Sequence, residues 1–306
     1  MSRIYDALKH TENDVVRMIE SETEQRGQPV PAAVDSDGAR QVIETPPPVE
    51  VPDTGGVATA YSPEPAEPFN DRGYRIAKIR ARASQPVLPF DGSDRRTAEC
   101  YRILRTNILQ HAAKPKVIAV SSPGAGDGKT TTAINIAGVL ALKQDVRVLL
   151  VDGDLRRSTI APKLGIEDAP GLAEVLTGQC SLQDAVVQTE NLPNLHILPA
   201  GRTIANPAEL LDSAAWRDLT GYLRKQFTFA IVDSTPMGIV ADYDLIHAVC
   251  DGTILVMRPD HTERQACAKA LKAIARNKLL GVVLNCAGDW FLWKMRDYYG
   301  YYPESK

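Results

Sequence analysis

Residues 116–135 read KVIAVSSPGAGDGKTTTAIN, and this stretch decides the fold. Val117-Ile118-Ala119-Val120 is a β-branched apolar run suited to a strand buried on both faces of a parallel sheet. It breaks into the glycine-rich turn Gly124-Ala125-Gly126-Asp127-Gly128. Lys129 and Thr130 follow and open a helix carrying Ile134, Ile136, Ala137, Val139 and Leu140. Strand, glycine loop, Lys-Thr and helix in that order make a phosphate-binding loop. The glycines let backbone N–H groups converge on phosphate oxygens, and the helix N-terminus adds partial positive charge. Lys129 is placed to reach the β- and γ-phosphates of ATP, and the Thr130 hydroxyl to ligate Mg²⁺. Pro123 stands where the usual spacing has glycine.

Working outward, a second apolar run at 146–151 ends in Asp152-Gly153-Asp154-Leu155-Arg156. Two carboxylates just past a strand end sit at the carboxyl edge of a parallel sheet, where α/β proteins bind ligands. One can hold Mg²⁺ or its water, and the other can take a proton from an incoming hydroxyl. Residues 171–178 read as a short helix closed by glycine, 195–201 as a strand, and Asn206-Pro207 as the start of another helix. His196, on that strand, reads as a core or edge residue. Phe229-Ala-Ile-Val-Asp233 has the Walker B pattern, an apolar strand whose terminal aspartate faces the Mg²⁺ shell. Asp242 and Asp244 follow. Strands at 253–257 and 282–285 flank a helix at 262–277. This alternation predicts an α/β P-loop NTPase fold, its mostly parallel sheet covered by helices on both faces.

Before the loop, residues 95–112 read as a helix with Tyr101, Leu104, Ile108 and Ala112 as its apolar stripe. Glu99, Arg102 and Arg105 lie beside that stripe, a row suited to reciprocal salt bridges with a neighbouring subunit. Residues 1–25 contain an amphipathic helix, with Ser2 as N-cap and Ile4, Leu8, Val15 and Ile19 at helical spacing. It suits docking on a partner or back onto the main domain. Eleven of the chain's 21 prolines fall between Gln28 and Asp94, so 26–94 reads as a disordered linker. Within it the basic stretch 72–82 is either a solvated segment or a contact with anionic lipid or an acidic partner. The domain proper is predicted to span 95–290, and 291–306 to be a tail.

Bulk properties bound the rest. A net charge of −3 gives no global electrostatic case for nucleic-acid binding. The five cysteines show neither C-x-x-C pairing nor zinc spacing, as expected of thiols in a reducing cytoplasm. No apolar run approaches the roughly 18–20 residues that span a bilayer. A cytoplasmic protein is expected, reaching a membrane only through a partner.

From about Arg95 onward the chain resembles the cytoplasmic domain of bacterial tyrosine kinases, autokinases of capsule and exopolysaccharide synthesis. The matching stretches are Glu99-x-x-Arg102-x-x-Arg105-Thr-Asn, Ser122-Pro-Gly-x-Gly-x-Gly-Lys129-Thr and Leu-Leu-Val-Asp152-x-Asp154-x-Arg156. Gly171-Leu-x-x-Val-Leu-x-Gly178, Asn206-Pro-x-Glu-Leu-Leu211, and Asp233 with Asp242 complete the set. The N-terminal Ser-Arg-Ile-Tyr5-Asp-Ala-Leu-Lys is similar to the start of stand-alone members.

The resemblance implies ATP and Mg²⁺ as cofactors. It implies Lys129, Asp152, Asp154 and Asp233 as the catalytic set, with Thr130, Asp152 and Asp233 around the metal. Gly124, Gly126, Asp127, Gly128, Lys129, Thr130, Thr131, Arg156 and Asn285 are the expected nucleotide contacts. Glu99, Arg102 and Arg105 fall at the interface of a homo-oligomeric ring. Tyr298, Tyr299, Tyr301 and Tyr302, four tyrosines within five residues, are the phosphoacceptors one subunit presents to another. A separate transmembrane activator, a polysaccharide co-polymerase, is the implied partner. Ala125, Asp127 and Ser234-Thr235-Pro236 depart from the family pattern without removing a catalytic group. Two other classes share many of these residues. A partition or positioning ATPase has lysine where this chain has Gly124, and lacks a tyrosine cluster. A catalytically silent nucleotide-binding regulator of polysaccharide export would keep the same loop.

Overall fold

A computed structural model describes residues 73–80, 94–166 and 170–287. Side-chain alternation along three central strands, β2 (Val117–Ser121), β3 (Val148–Asp152) and β6 (Phe229–Asp233), sets up two cores. Ile118, Val120, Val148, Leu150, Phe229 and Ile231 enter one. Val117, Ala119, Leu149, Val151, Ala230 and Val232 enter the other. Every residue of the three strands is buried, as a parallel sheet covered on both faces requires.

The first core is closed by α1 (Arg95–Gln110) and α2 (Lys129–Ala141). Tyr101, Leu104 and Ile108 of α1 pack there with Ile134, Ile136 and Leu140 of α2. α1 starts where the Asp94 carboxylate accepts the Thr97 N–H at 2.9 Å, an N-cap. α2 is apolar almost all round because it runs beneath both α1 and the sheet. After β3 come α3 (Ile160–Leu164), α4 (Leu172–Leu176), α5 (Leu182–Ala185), β4 (Val187–Thr189) and β5 (Leu195–Leu198). Then follow α6 (Pro207–Leu211), α7 (Ala214–Gln226) and, past β6, α8 (Asp242–Val249). The second core is closed by Leu172 and Val175 of α4, Trp216, Leu219 and Leu223 of α7, and Ile246 of α8. β7 (Gly252–Met257), α9 (Arg264–Ala273) and β8 (Leu279–Leu284) complete the described chain.

The sheet order is β1-β4-β5-β3-β6-β2-β7-β8, with β1 spanning Arg75–Ala77. All neighbours pair in parallel except β4 and β5. β6 lies between β2 and β3, so the carboxyl ends of all three converge. In register, Asp152 on β3 stands opposite Asp233 on β6.

The helices expected over 95–112, 171–178 and 262–277 correspond to α1, α4 and α9, each shorter at one or both ends. α7, α8 and β4 were not anticipated, though Ser213 and its bond to the Trp216 N–H mark the start of α7. His196 is a core residue, edge-on to both Tyr74 and Phe227.

One expectation is corrected. Reading 26–94 as linker throughout fails at 73–80. Tyr74 is buried in the second core, and β1 extends the sheet beside β4. Composition across seventy residues hid a four-residue run, Tyr74 to Ala77, whose aromatic anchor gains enough burial to order it. The N-terminal helix expected in 1–25 and the tail at 291–306 lie outside the described residues.

A linker tyrosine would be free to change, whereas Tyr74 fills core space. Tyr74→Ala is expected to lower unfolding stability by about 3 kcal/mol in urea denaturation. An unchanged midpoint would contradict the placement of β1.

Candidate active site

The phosphate-binding loop between β2 and α2 is shaped by its own side chains and braced from two sides. The Asp127 carboxylate accepts the Gly124 N–H at 2.9 Å and the Thr262 hydroxyl at 2.7 Å. Ser122 Oγ donates to the Gly124 carbonyl at 2.6 Å, and His261 Nε2 lies 3.1 Å from the Ala125 carbonyl. At the end of β8, the Asn285 amide donates to the Asp127 carbonyl at 2.9 Å. Gly128, at φ +92°, takes the left-handed conformation that starts α2, and a Cβ there would overlap that amide.

Asp127 is almost wholly buried. Its side chain is committed to the loop. Asn285 likewise braces the loop. Thr262 and His261 were missed by sequence reading, because a contact 135 residues distant leaves no local signal.

Lys129 extends from the start of α2 toward the acids. Its Nζ lies 3.2 Å from Asp154 Oδ2, 3.7 Å from Asp233 Oδ1 and 3.4 Å from Thr130 Oγ1. Burial opposes its charge, yet the carboxylates of Asp233 and Asp154 outweigh that and hold its pKa above the ordinary lysine value.

Asp152 ends β3. Its Oδ2 accepts the Ser158 hydroxyl at 3.0 Å, the Thr159 N–H at 3.2 Å and the Ile160 N–H at 3.1 Å, capping α3. Its Oδ1 accepts the Asp154 N–H at 3.3 Å. Burial raises its pKa to about 6, against these donors. Ser158-Thr159 ahead of the apolar Ile160 was a legible helix-start signal that the sequence reading did not use.

Asp233 ends β6 fully buried, and neither carboxylate oxygen has a donor in hydrogen-bond geometry. Burial pushes its pKa up to about 7, with Lys129 pulling the other way and the nearby Asp152 adding to the rise. An orphaned buried carboxylate beside a helix-start threonine is the donor set expected of a Mg²⁺ site. These residues fit the ion.

Arg156 is gripped bidentately by Asp242, at 2.7 and 3.0 Å, with Asp242 itself buried. This bond keeps Arg156 at the rim of the site and raises its pKa. Thr131, on the first turn of α2, is half-buried. Glu99 and Arg102 pair on the exposed face of α1 at 3.0 Å, while Arg105 turns back to the Val139 carbonyl at 3.4 Å. The four tail tyrosines lie outside the described residues. Among those residues no helix is long and apolar enough to cross a membrane.

A family model described as an AAA domain matches residues 115–278. The tyrosine-protein kinase YwqD of Bacillus subtilis is 38% identical over 192 residues, covering 61% of this chain and 80% of that protein. The tyrosine-protein kinase CpsD of Streptococcus pneumoniae serotype 4 is 39% identical over 197 residues, covering 62% and 85%. The chain belongs to the bacterial tyrosine kinase family. The solved kinase domain of VpsO is 32% identical, covers 65% of this chain and 99% of that one, and superposes with a TM-score of 0.57. The fold of this tyrosine kinase is therefore that of its family.

Two outcomes test the site. Thr262→Val leaves a buried Asp127 oxygen without its donor, so ATP affinity by calorimetry should fall about tenfold. Wild-type affinity would show that the brace is idle. The second concerns pH. Asp152 and Asp233 have folded pKa values raised above the unfolded value of about 3.9. Their contribution to stability is therefore complete below that value and is lost as pH rises through about 6 and 7. Asp233→Asn should flatten the fall in nucleotide-free stability between pH 5 and 8, and an unaltered slope would contradict the assignment.

Proposed function

We propose that this kinase transfers the γ-phosphoryl group of ATP to tyrosines of its own C-terminal cluster, between subunits. The observation that carries the reading is the buried Lys129 held between Asp154 and Asp233, at the mouth of a phosphate-binding loop. In the nucleotide-free chain, Lys129 neutralises acids that would otherwise repel one another. ATP offers it β- and γ-phosphate oxygens instead, which frees Asp154 Oδ2. The backbone N–H groups of residues 124–130 and the start of α2 cradle the phosphates. Thr130 and Asp233, with Asp152 beside them, would hold Mg²⁺, which when bound neutralises charge on the β- and γ-phosphates.

The Asp152/Asp154 pair supplies the proton acceptor for the attacking tyrosine hydroxyl. Burial holds the Asp152 pKa above the usual carboxylate range, which makes it a stronger proton acceptor than an exposed aspartate. Tyr298, Tyr299, Tyr301 and Tyr302 are the acceptors. Glu99, Arg102 and Arg105 form the ring interface, and Arg105 is released from α2 to join it. Each phosphotyrosine adds roughly −1.5 to −2 charges. Accumulated charge on the tail weakens its docking in the next subunit and loosens the ring, which regulates capsule or exopolysaccharide polymerisation or export. A separate transmembrane activator recruits the kinase to the inner face of the membrane.

Mixing two full-length variants tests transfer between subunits. Lys129→Met keeps an intact tail, and the variant with all four tail tyrosines changed to Phe keeps an intact site. With Mg·ATP, phosphotyrosine should appear on the Lys129→Met tail in the mixture, at least about 100-fold faster than in that variant alone. ATP-dependent dimers of the wild-type chain without phosphotyrosine would instead identify a switch ATPase. Nucleotide binding with neither outcome would identify a silent regulator.

A further inference from the structure

We infer that residues 73–80 form a strap that positions Asp152 from behind, through α3. This rests on the kinase reading, in which Asp152 serves phosphotransfer. The strap is anchored at three points. The Tyr74 ring is buried against His196. β1 pairs with β4, and the Ala77 carbonyl accepts the Glu190 N–H at 3.0 Å. Ala77 and Ile79 then pack against the core that also holds Ile160, Ala161 and Leu164 of α3.

The last anchor decides the matter. The Arg80 N–H donates to the Leu164 carbonyl at 2.8 Å, at the C-terminal end of α3. Gly165 follows in the left-handed conformation, at φ +64°, and a Cβ there would stand 2.9 Å from the Arg80 carbonyl oxygen. The chains approach this closely only because the residue is glycine. At the other end of α3, the Thr159 and Ile160 N–H groups hold Asp152 Oδ2. α3 has five residues, about 7.5 Å long at the usual helical rise. One short helix, buried through Ile160, Ala161 and Leu164, therefore touches the strap with its last carbonyl and the catalytic carboxylate with its first amides. A shift at Leu164 is transmitted to Asp152, because a single helical turn has no internal joint to absorb it.

The strap is also the part of the sheet most easily lost. β1 is an edge strand of three residues, and among the described residues only β4 pairs with it. It is the first described segment of the chain and lies within the proline-rich stretch. An event in the residues before it reaches Asp152 by this route without touching the phosphate-binding loop.

The test uses the full-length chain with three substitutions. Gly165→Ala pushes Arg80 off α3, and Arg80→Pro removes the donated N–H at an exposed position. Arg80→Ala keeps that N–H and serves as the conservative control. Amide hydrogen exchange is read at 74–79 and at 159–160, with the KM for ATP and kcat for tyrosine phosphorylation measured alongside. In the first two variants both segments should lose protection together. kcat should fall about tenfold while KM for ATP stays within twofold, and Arg80→Ala should match wild type. The inference is overturned if 74–79 opens while 159–160 and kcat keep wild-type values, or if the strap stays protected in both variants. If the wild-type chain phosphorylates no tyrosine, the kinase reading fails, while joint loss of protection still reports the coupling.

Discussion

Three carboxylates converge on one lysine, and the rest of the site is arranged to permit that. Asp152 and Asp233 stand opposite each other on adjacent strands, and Asp154 lies two residues on. All three are buried, and Lys129 is the cation that reaches Asp154 and Asp233. Taking one partner from a buried ion pair costs about 3–5 kcal/mol, because a charge is left without compensation. The nucleotide-free protein therefore holds Lys129 inward, while burial raises the pKa of both Asp152 and Asp233. A bound triphosphate changes this balance. It would give the ammonium stronger partners and bring in a cation to replace Lys129 beside Asp233.

Each part of the site is then held by a different neighbour, so the site is adjustable in parts. The phosphate-binding loop depends on Thr262 and Asn285, which come from beyond β7 and β8. Asp152 depends on the first amides of α3, and Arg156 on the buried Asp242 at the start of α8. Side chains outside the expected nucleotide contacts thus set the positions of those within them. In the proposed function, phosphate binding and proton acceptance would rest on separate supports. One could then change without the other.

The sequence made the fold and the acid cluster legible for a physical reason. Buried parallel strands are unbroken apolar runs, and their terminal aspartates stand out at the sheet edge, as at 148–152 and 229–233. The glycine loop was equally plain, since Gly128 has to be glycine at φ +92°. Less visible were contacts made across long sequence separations. Thr262 and His261 carry no local mark of the loop they brace. Asp127 stands out by its place in the motif, but the turn of its carboxylate into the loop is not legible there. The misread strand β1 shows the opposite failure, in which bulk composition outweighed a short segment with one well-buried tyrosine.

The account turns on Lys129 exchanging carboxylates for phosphates. A crystal structure of the full chain with Mg²⁺ and a non-hydrolysable ATP analogue tests this most directly. The account expects Lys129 Nζ within about 3.2 Å of a β- or γ-phosphate oxygen and beyond hydrogen-bond reach of Asp154. An analogue seated in the loop with Lys129 still bonded to Asp154 would contradict it.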